Sequence, residues 1–128
     1  MAYISPMLTN IVTAVKKASV NLNRDFSEIE RLQNSIKGSL DFTRIAFDKI
    51  QKSLKNEFAK ILPAIPCVAI NEKVSQNGMY LLISGIEGLA NFAHGNPEFA
   101  ISAALMNGQT ILCGVVYNPA RDELFFAE

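Results

Sequence analysis

The chain has 128 residues, the length of one domain, and 49% of them are apolar, so a core can form without metals or disulfides. Lys plus Arg equals Asp plus Glu at twelve each, which removes any general electrostatic ground for binding nucleic acid or an anionic membrane. The two cysteines, Cys67 and Cys113, lie far apart in apolar runs, which argues against a zinc centre; both are expected to be buried, reduced packing residues in a reducing cytoplasm.

The first residues, Met1-Ala2-Tyr3-Ile4-Ser5-Pro6, carry no basic run followed by an apolar core and do not read as a signal peptide. No apolar run approaches the ~20 residues of a membrane span. A soluble cytoplasmic protein is expected.

Ser5-Pro6 is a helix start, a hydroxyl cap followed by a proline whose missing N–H costs nothing in the first turn. Leu8, Ile11, Val12, Val15, Ala18 and Leu22 recur at helical spacing and predict a helix over residues 6–23. Phe26, Ile29 and Leu32 can carry that stripe to Gln33, while Lys16, Lys17 and Arg24 fall on the solvated side. Lys37-Gly38-Ser39 breaks the pattern and reads as a loop, with Asp41 capping a second helix. Phe42, Ile45, Phe47, Ile50, Leu54, Phe58 and Ile61 mark its buried side. Asp48 and Lys52 are spaced for an ion pair, and Pro63 ends the helix.

After Pro66 the pattern becomes that of strands. Residues 67–70 are a short strand, 71–78 a polar loop, and 79–83 a strand apolar on both faces, as a covered strand is. Ser84-Gly85-Ile86-Glu87-Gly88 reads as a turn with two glycines. Over residues 99–106 large and small side chains alternate, with Phe99, Ile101 and Leu105 on one face and Ala100, Ser102 and Ala104 on the other. Asn107-Gly108 is the strongest hairpin signal in the chain, residues 110–117 return, 118–122 turn, and 124–126 begin another strand.

The whole reads as a single α+β domain over residues 1–128, two N-terminal helices packed on an antiparallel sheet. The small-residue face allows a helix to approach closely. The last strand is apolar and has no polar tail, so further protein or a partner is expected to cover it.

Two blocks carry a resemblance. Asn91-Phe92-Ala93-His94-Gly95-Asn96-Pro97-Glu98-Phe99-Ala100-Ile101-Ser102 resembles the segment that follows the metal loop of inositol monophosphatases. Gly114-Val115-Val116-Tyr117-Asn118-Pro119, with Arg121-Asp122-Glu123-Leu124-Phe125, is similar to that family's next hairpin. Residues 83–92 fall where the family carries Asp-Pro-Ile/Leu-Asp-Gly-Thr-x-Asn-Phe, and Lys37-Gly38-Ser39 with Asp41-Phe42 resembles its loop before the second helix. The bacterial extragenic-suppressor branch is the most similar. The resemblance implies the first half of an α/β/α/β/α layered protein about twice this length.

It also implies a chemistry: hydrolysis of a phosphate monoester with Mg²⁺, held by a ring of carboxylates because hard cations need charged oxygen ligands. The phosphate meets the start of a short helix after the metal loop. By the resemblance, the first ligand glutamate falls at Asn71, whose amide brings no charge, and the second at Glu72. The first signature aspartate falls at Ser84, the proline at Gly85, the carbonyl donor at Ile86 and the second aspartate at Glu87. The glycine is kept as Gly88; the threonine that orients the attacking water falls at Leu89, which has no hydroxyl. A further aspartate falls at Ala46, or at Asp48 if one residue is inserted. Lys37, Gly88 and Leu89 would face the phosphate.

Glu72, Ser84, Ile86 and Glu87 are thus a remnant metal set, and Asn71 and Leu89 are the degenerate catalytic positions. Glu87 has an alternative reading as the cap of the helix that follows. His94, the one histidine, has no partner at ligand spacing, and Ser84 has no histidine at an offset suggestive of a nucleophilic serine. Three functions compete. The first is an inactive family member that binds protein as a homodimer or with a C-terminal half; the branch implies a role with the transcription machinery. The second is a weak Mg²⁺-dependent phosphatase acting on inositol monophosphate or a related sugar phosphate. The third is a relic without function.

Overall fold

The computed structural model describes residues 5–72 and 77–128. The signal-peptide reading at residues 1–4, and residues 73–76 of the polar loop, lie outside them. Two helices come first: α1 (Pro6–Arg31) and α2 (Ile36–Ile61). The strands follow, β1 (Cys67–Ala69), β2 (Met79–Glu87), β3 (Ala100–Asn107), β4 (Thr110–Asn118) and β5 (Glu123–Ala127), with a short α3 (Leu89–Ala93) between β2 and β3.

α1 starts as its sequence predicts: Ser5 Oγ accepts the Leu8 N–H at 3.1 Å and Pro6 occupies the first turn. It takes the longer of the two expected courses. Phe26 and Ile29 remain on the buried stripe, and the helix stops only at Arg31.

The start of α2 is a correction. Ser35, not Asp41, is the cap, its Oγ accepting the Gly38 N–H at 3.1 Å. Lys37-Gly38-Ser39 is therefore the first helical turn and not a loop, because a hydroxyl cap captured the chain before the glycine could interrupt it. The buried stripe is Ser39, Thr43, Ala46, Ile50, Leu54 and Phe58. This phase leaves Ile45 and Ile61 exposed and places smaller residues against the neighbouring elements. Lys49 reaches Asp25 on α1 at 3.2 Å, and no ion pair joins Asp48 to Lys52 among the described residues.

The sheet order is β1-β2-β3-β4-β5. Every pairing is antiparallel except β1 with β2, which is parallel, a departure from the expected all-antiparallel run. Nine residues, 70–78, suffice for this return because β1 is only three residues long. β2 does not stop at Ile83 but continues to Glu87 with a register irregularity after Ser84, so the expected glycine turn is strand. The inner face of the sheet, with Leu81, Ile83, Ile101, Ala103, Leu105, Cys113 and Val115, packs under α1 and α2 in one core. Cys113 is buried and Cys67 only half-buried; both are free. No described helix is long and apolar enough to cross a membrane.

Candidate functional site

The site positions lie where β2 meets α3. The register irregularity after Ser84 breaks the alternation of β2, so that Ile86 enters the core and Glu87 stands exposed at the strand end. The Gly85–Ile86 peptide is cis. Ser84 pairs with Ser102 across the β2–β3 ladder, and Ser102 Oγ donates to Glu87 Oε1 at 2.8 Å. That bond answers the alternative reading of Glu87. α3 starts at Gly88 with no side-chain cap, and the Glu87 carboxylate is turned to the sheet face instead.

Gly88 is required by geometry. Its φ is +76°, and a Cβ there would lie 2.7 Å from the Glu98 carbonyl oxygen. The same carbonyl accepts Asn91 Nδ2 at 2.8 Å, and Asn96 Oδ1 accepts the Glu98 N–H at 3.0 Å, so the segment before β3 closes tightly over the glycine. Arg121 forms an ion pair with Glu98 from the far side. Asn118 Nδ2 donates to the Pro97 carbonyl at 2.9 Å and its Oδ1 accepts the Ala120 and Arg121 N–H groups. Phe92 and Phe99 pack with Phe26 of α1, centroids 4.9 to 5.6 Å apart, and fix α3 to the core.

Glu72 belongs to a different arrangement. Its Oε1 accepts Lys55 Nζ at 2.7 Å and the Ala69 N–H at 2.8 Å. The lysine hydrogen bond, then the backbone one, holds this carboxyl below its ordinary range. Asn71 is exposed in the turn after β1. Lys37 is exposed in the first turn of α2, and Ala46 is buried in the core while Asp48 faces solvent. His94 is exposed as the C-cap of α3. Leu89 lines an apolar hollow between α2 and α3 with Leu40, Phe47, Ala90 and Ala93.

Two residues escaped the sequence reading. Ser39, buried on α2, donates its hydroxyl to the Ala93 carbonyl, a carbonyl that also accepts Gln33 Nε2 at 3.2 Å. Thr43, one turn further, is 3% exposed, and its hydroxyl has no hydrogen-bond partner among the described residues. Helical spacing from Ser39 would have placed both on the α3 side of the helix, had the helix been started at Ser35.

A magnesium ion of the kind the family implies needs several oxygen donors with negative charge. Glu87 is bonded to Ser102 and Glu72 to Lys55, and among the described residues no three His, Cys, Asp or Glu side chains gather to hold a metal. The donor set does not fit the ion.

The sequence profile of the inositol monophosphatase family matches residues 4–128. An inositol-1-monophosphatase of Rhizobium meliloti is 37% identical over 127 residues, 97% of this chain and 48% of the relative. The Nus factor SuhB of Vibrio cholerae is 29% identical over 96% of this chain and 47% of its own length. The crystal structure of the extragenic suppressor protein suhB from Bartonella henselae superposes with a TM-score of 0.79 at 31% identity, covering 97% of this chain and 48% of that one. The chain spans about half the length of the curated relatives it matches. Matched by the family's profile over residues 4–128 and by the suhB structure over 97% of its length, this chain belongs to the inositol monophosphatase family.

Proposed function

We propose that this chain is a catalytically impaired member of the family that acts by binding another polypeptide. The observation that carries this reading is the local chemistry at the β2–α3 junction. Where the resemblance expects two aspartates and a threonine there are Ser84, Glu87 and Leu89, and the one carboxylate among them is hydrogen-bonded to Ser102. A leucine can neither orient a water nor relay its proton, and a neutral serine adds no charge for a divalent cation.

Binding is supported by the outer face of the sheet. Ile111, Leu112, Val116 and Phe125 stand exposed there at 40 to 66% of their surface, around a floor of Ala104, Gly114 and Ala127. An apolar patch of this kind on a soluble surface marks an interaction site. Relatives of twice the length have a further half of chain, and a polypeptide supplying such a half is the partner of this reading. A cytoplasmic setting agrees with the two free cysteines, and a role with the transcription machinery has its support in the relatives named Nus factor.

The second reading, a Mg²⁺-dependent phosphatase, is favoured by the 37% identity to a protein named inositol-1-monophosphatase. Phosphate release from inositol monophosphate, titrated with Mg²⁺, decides between them. The expected result is no magnesium-dependent turnover by the folded chain, and no rise in the Asn71→Glu, Ser84→Asp double variant. Magnesium-dependent release that falls in Glu87→Gln would establish the second reading.

A further inference from the structure

The two edges of the sheet differ in how they are guarded. β1 is three residues long and follows Pro66, so it offers little to a further strand. β5 is the other edge, and among the described residues β4 is the only strand paired with it. It carries no lysine, no proline and no register irregularity, the devices that keep an edge single, and its one charged residue, Glu123, stands at its first position. Phe125 is 63% and Phe126 39% exposed. The Glu128 carboxylate accepts the Ser5 N–H at 3.1 Å and ties the end of the strand back to the start of α1, so the edge is held in place without a partner.

The turn before β5 decides which backbone groups are free. Pro119 has no N–H, so the pair that closes the hairpin, Asn118 with Glu123, is joined through its own N–H and C=O groups. Bonded pairs alternate along antiparallel strands, so Phe125 and Ala127 also bond towards β4, and the N–H and C=O groups of Leu124 and Phe126 point away from the sheet. Donors and acceptors spaced two residues apart are answered by an extended strand.

β5 is complementary to itself. Full antiparallel overlap of Glu123–Ala127 with a second copy sets Phe125 opposite its own counterpart, Leu124 opposite Phe126 and Glu123 opposite Ala127. The outward groups of Leu124 and Phe126 are then all paired, and no acidic residue of the strand faces another. Phe125 meets an aromatic ring on the outer face, and Leu124 covers the open side of Phe126 on the inner face. Asp122 and Glu128 come opposite just beyond the strand ends, but their carboxylates are turned to Tyr117 and Ser5 of their own chain. We infer that this chain forms a two-fold dimer through β5, which joins the two five-stranded sheets edge to edge. The contact runs through the backbone edge and leaves the outer face open, so it stands whether or not that face takes a partner and whether or not the chain turns over phosphate.

Sedimentation velocity of the full chain should show a reversible dimer at about 100 μM, the weak class that a small interface gives. Phe126→Pro removes an outward N–H without touching the β4 ladder and should give a folded monomer; Phe126→Ala keeps that N–H and should weaken the dimer less. Should Phe126→Pro fail to fold, Phe125→Lys, which sets two like charges at the two-fold axis, must disperse the dimer. The register has its own test in a Cys67→Ser background. Counterparts at position 125 would lie about 4.5 Å apart between Cα atoms, within disulfide reach, so diamide should link two copies of Phe125→Cys. Counterparts at position 123 would lie about 13 Å apart along the strands, so Glu123→Cys should not link. A monomer at that concentration, equal losses in Phe126→Pro and Phe126→Ala, or equal linking from both positions would overturn the inference. A dimer that survives Phe126→Pro but is lost in Ile111→Asp would move the contact to the outer face and overturn it equally, while supporting the binding role assigned to that face.

Discussion

The two faces of the sheet are built from alternate residues of the same strands, yet only one is finished. On the inner face Ile83, Ile101, Ala103, Leu105 and Val115 are at most 3% exposed beneath the helices. On the outer face the register sets Ser84, Ser102, Val116 and Phe125 in one row and Leu82, Ala104, Gly114 and Ala127 in the next. The first face is large and branched and closes on itself. The second combines small residues with exposed Val116 and Phe125 and has none of the described residues packed over it. Stability therefore resides on the inner face, the outer face is the one assigned to binding in the proposed function, and substitutions should separate the two.

The largest effect belongs to the inner face. Ile101→Ala should cost about 2–5 kcal/mol in denaturant unfolding, whereas Val116→Ala, one face away, should cost less than about 1 kcal/mol. Equal losses would mean that the outer face is already covered in solution. Gly88→Ala tests the junction between the faces. The positive φ and the close Glu98 carbonyl predict a loss of about 1–3 kcal/mol, measured the same way.

Tyr117 gives a smaller, pH-dependent effect. Burial first, and then its hydrogen bond to Asp122 at 2.7 Å, push its phenol up to about 12. A raised pKa means that the folded state holds the proton more tightly. Its contribution is complete below the ordinary tyrosine value near 10 and is lost as pH rises towards about 12. Stability should fall over that interval in the native chain and fall less in Tyr117→Phe, which should itself cost about 1 kcal/mol at neutral pH. Least of all in stability, Phe125→Asp should leave the unfolding midpoint nearly unchanged while reducing self-association and partner capture in sedimentation. Loss of fold in that variant would contradict the division between the two faces.

Much of the fold was legible along the chain. The Ser5 cap with Pro6, the α1 stripe, the Asn107-Gly108 hairpin and the large–small alternation of β3 are local signals, set by neighbours in sequence. The start of α2 was not legible, because Ser35 and Asp41 are both competent caps and the glycine between them argued for a loop. The choice of Ser35 brings Ser39 against the Ala93 carbonyl, a contact 54 residues away. At the candidate site the sequence carried the chemistry of each side chain, since a leucine lacks a hydroxyl in any fold. Its partnerships were not. Nothing in the sequence ties Glu87 to Ser102 or Glu72 to Lys55, because those pairs arise from strand register and helix docking.

The sequence by itself determined most of the element types, the large–small alternation of β3 and the chemistry of Asn71, Ser84 and Leu89, none of which carries a charge, because propensity, period and side-chain chemistry are properties of residues and near neighbours. Tertiary structure alone decided that β1 lies parallel to β2, that Glu72 and Glu87 are engaged separately, and that Leu89 lines an apolar hollow against α2. Each of these depends on which distant surfaces meet once the helices have packed, and packing is settled by the whole core at once.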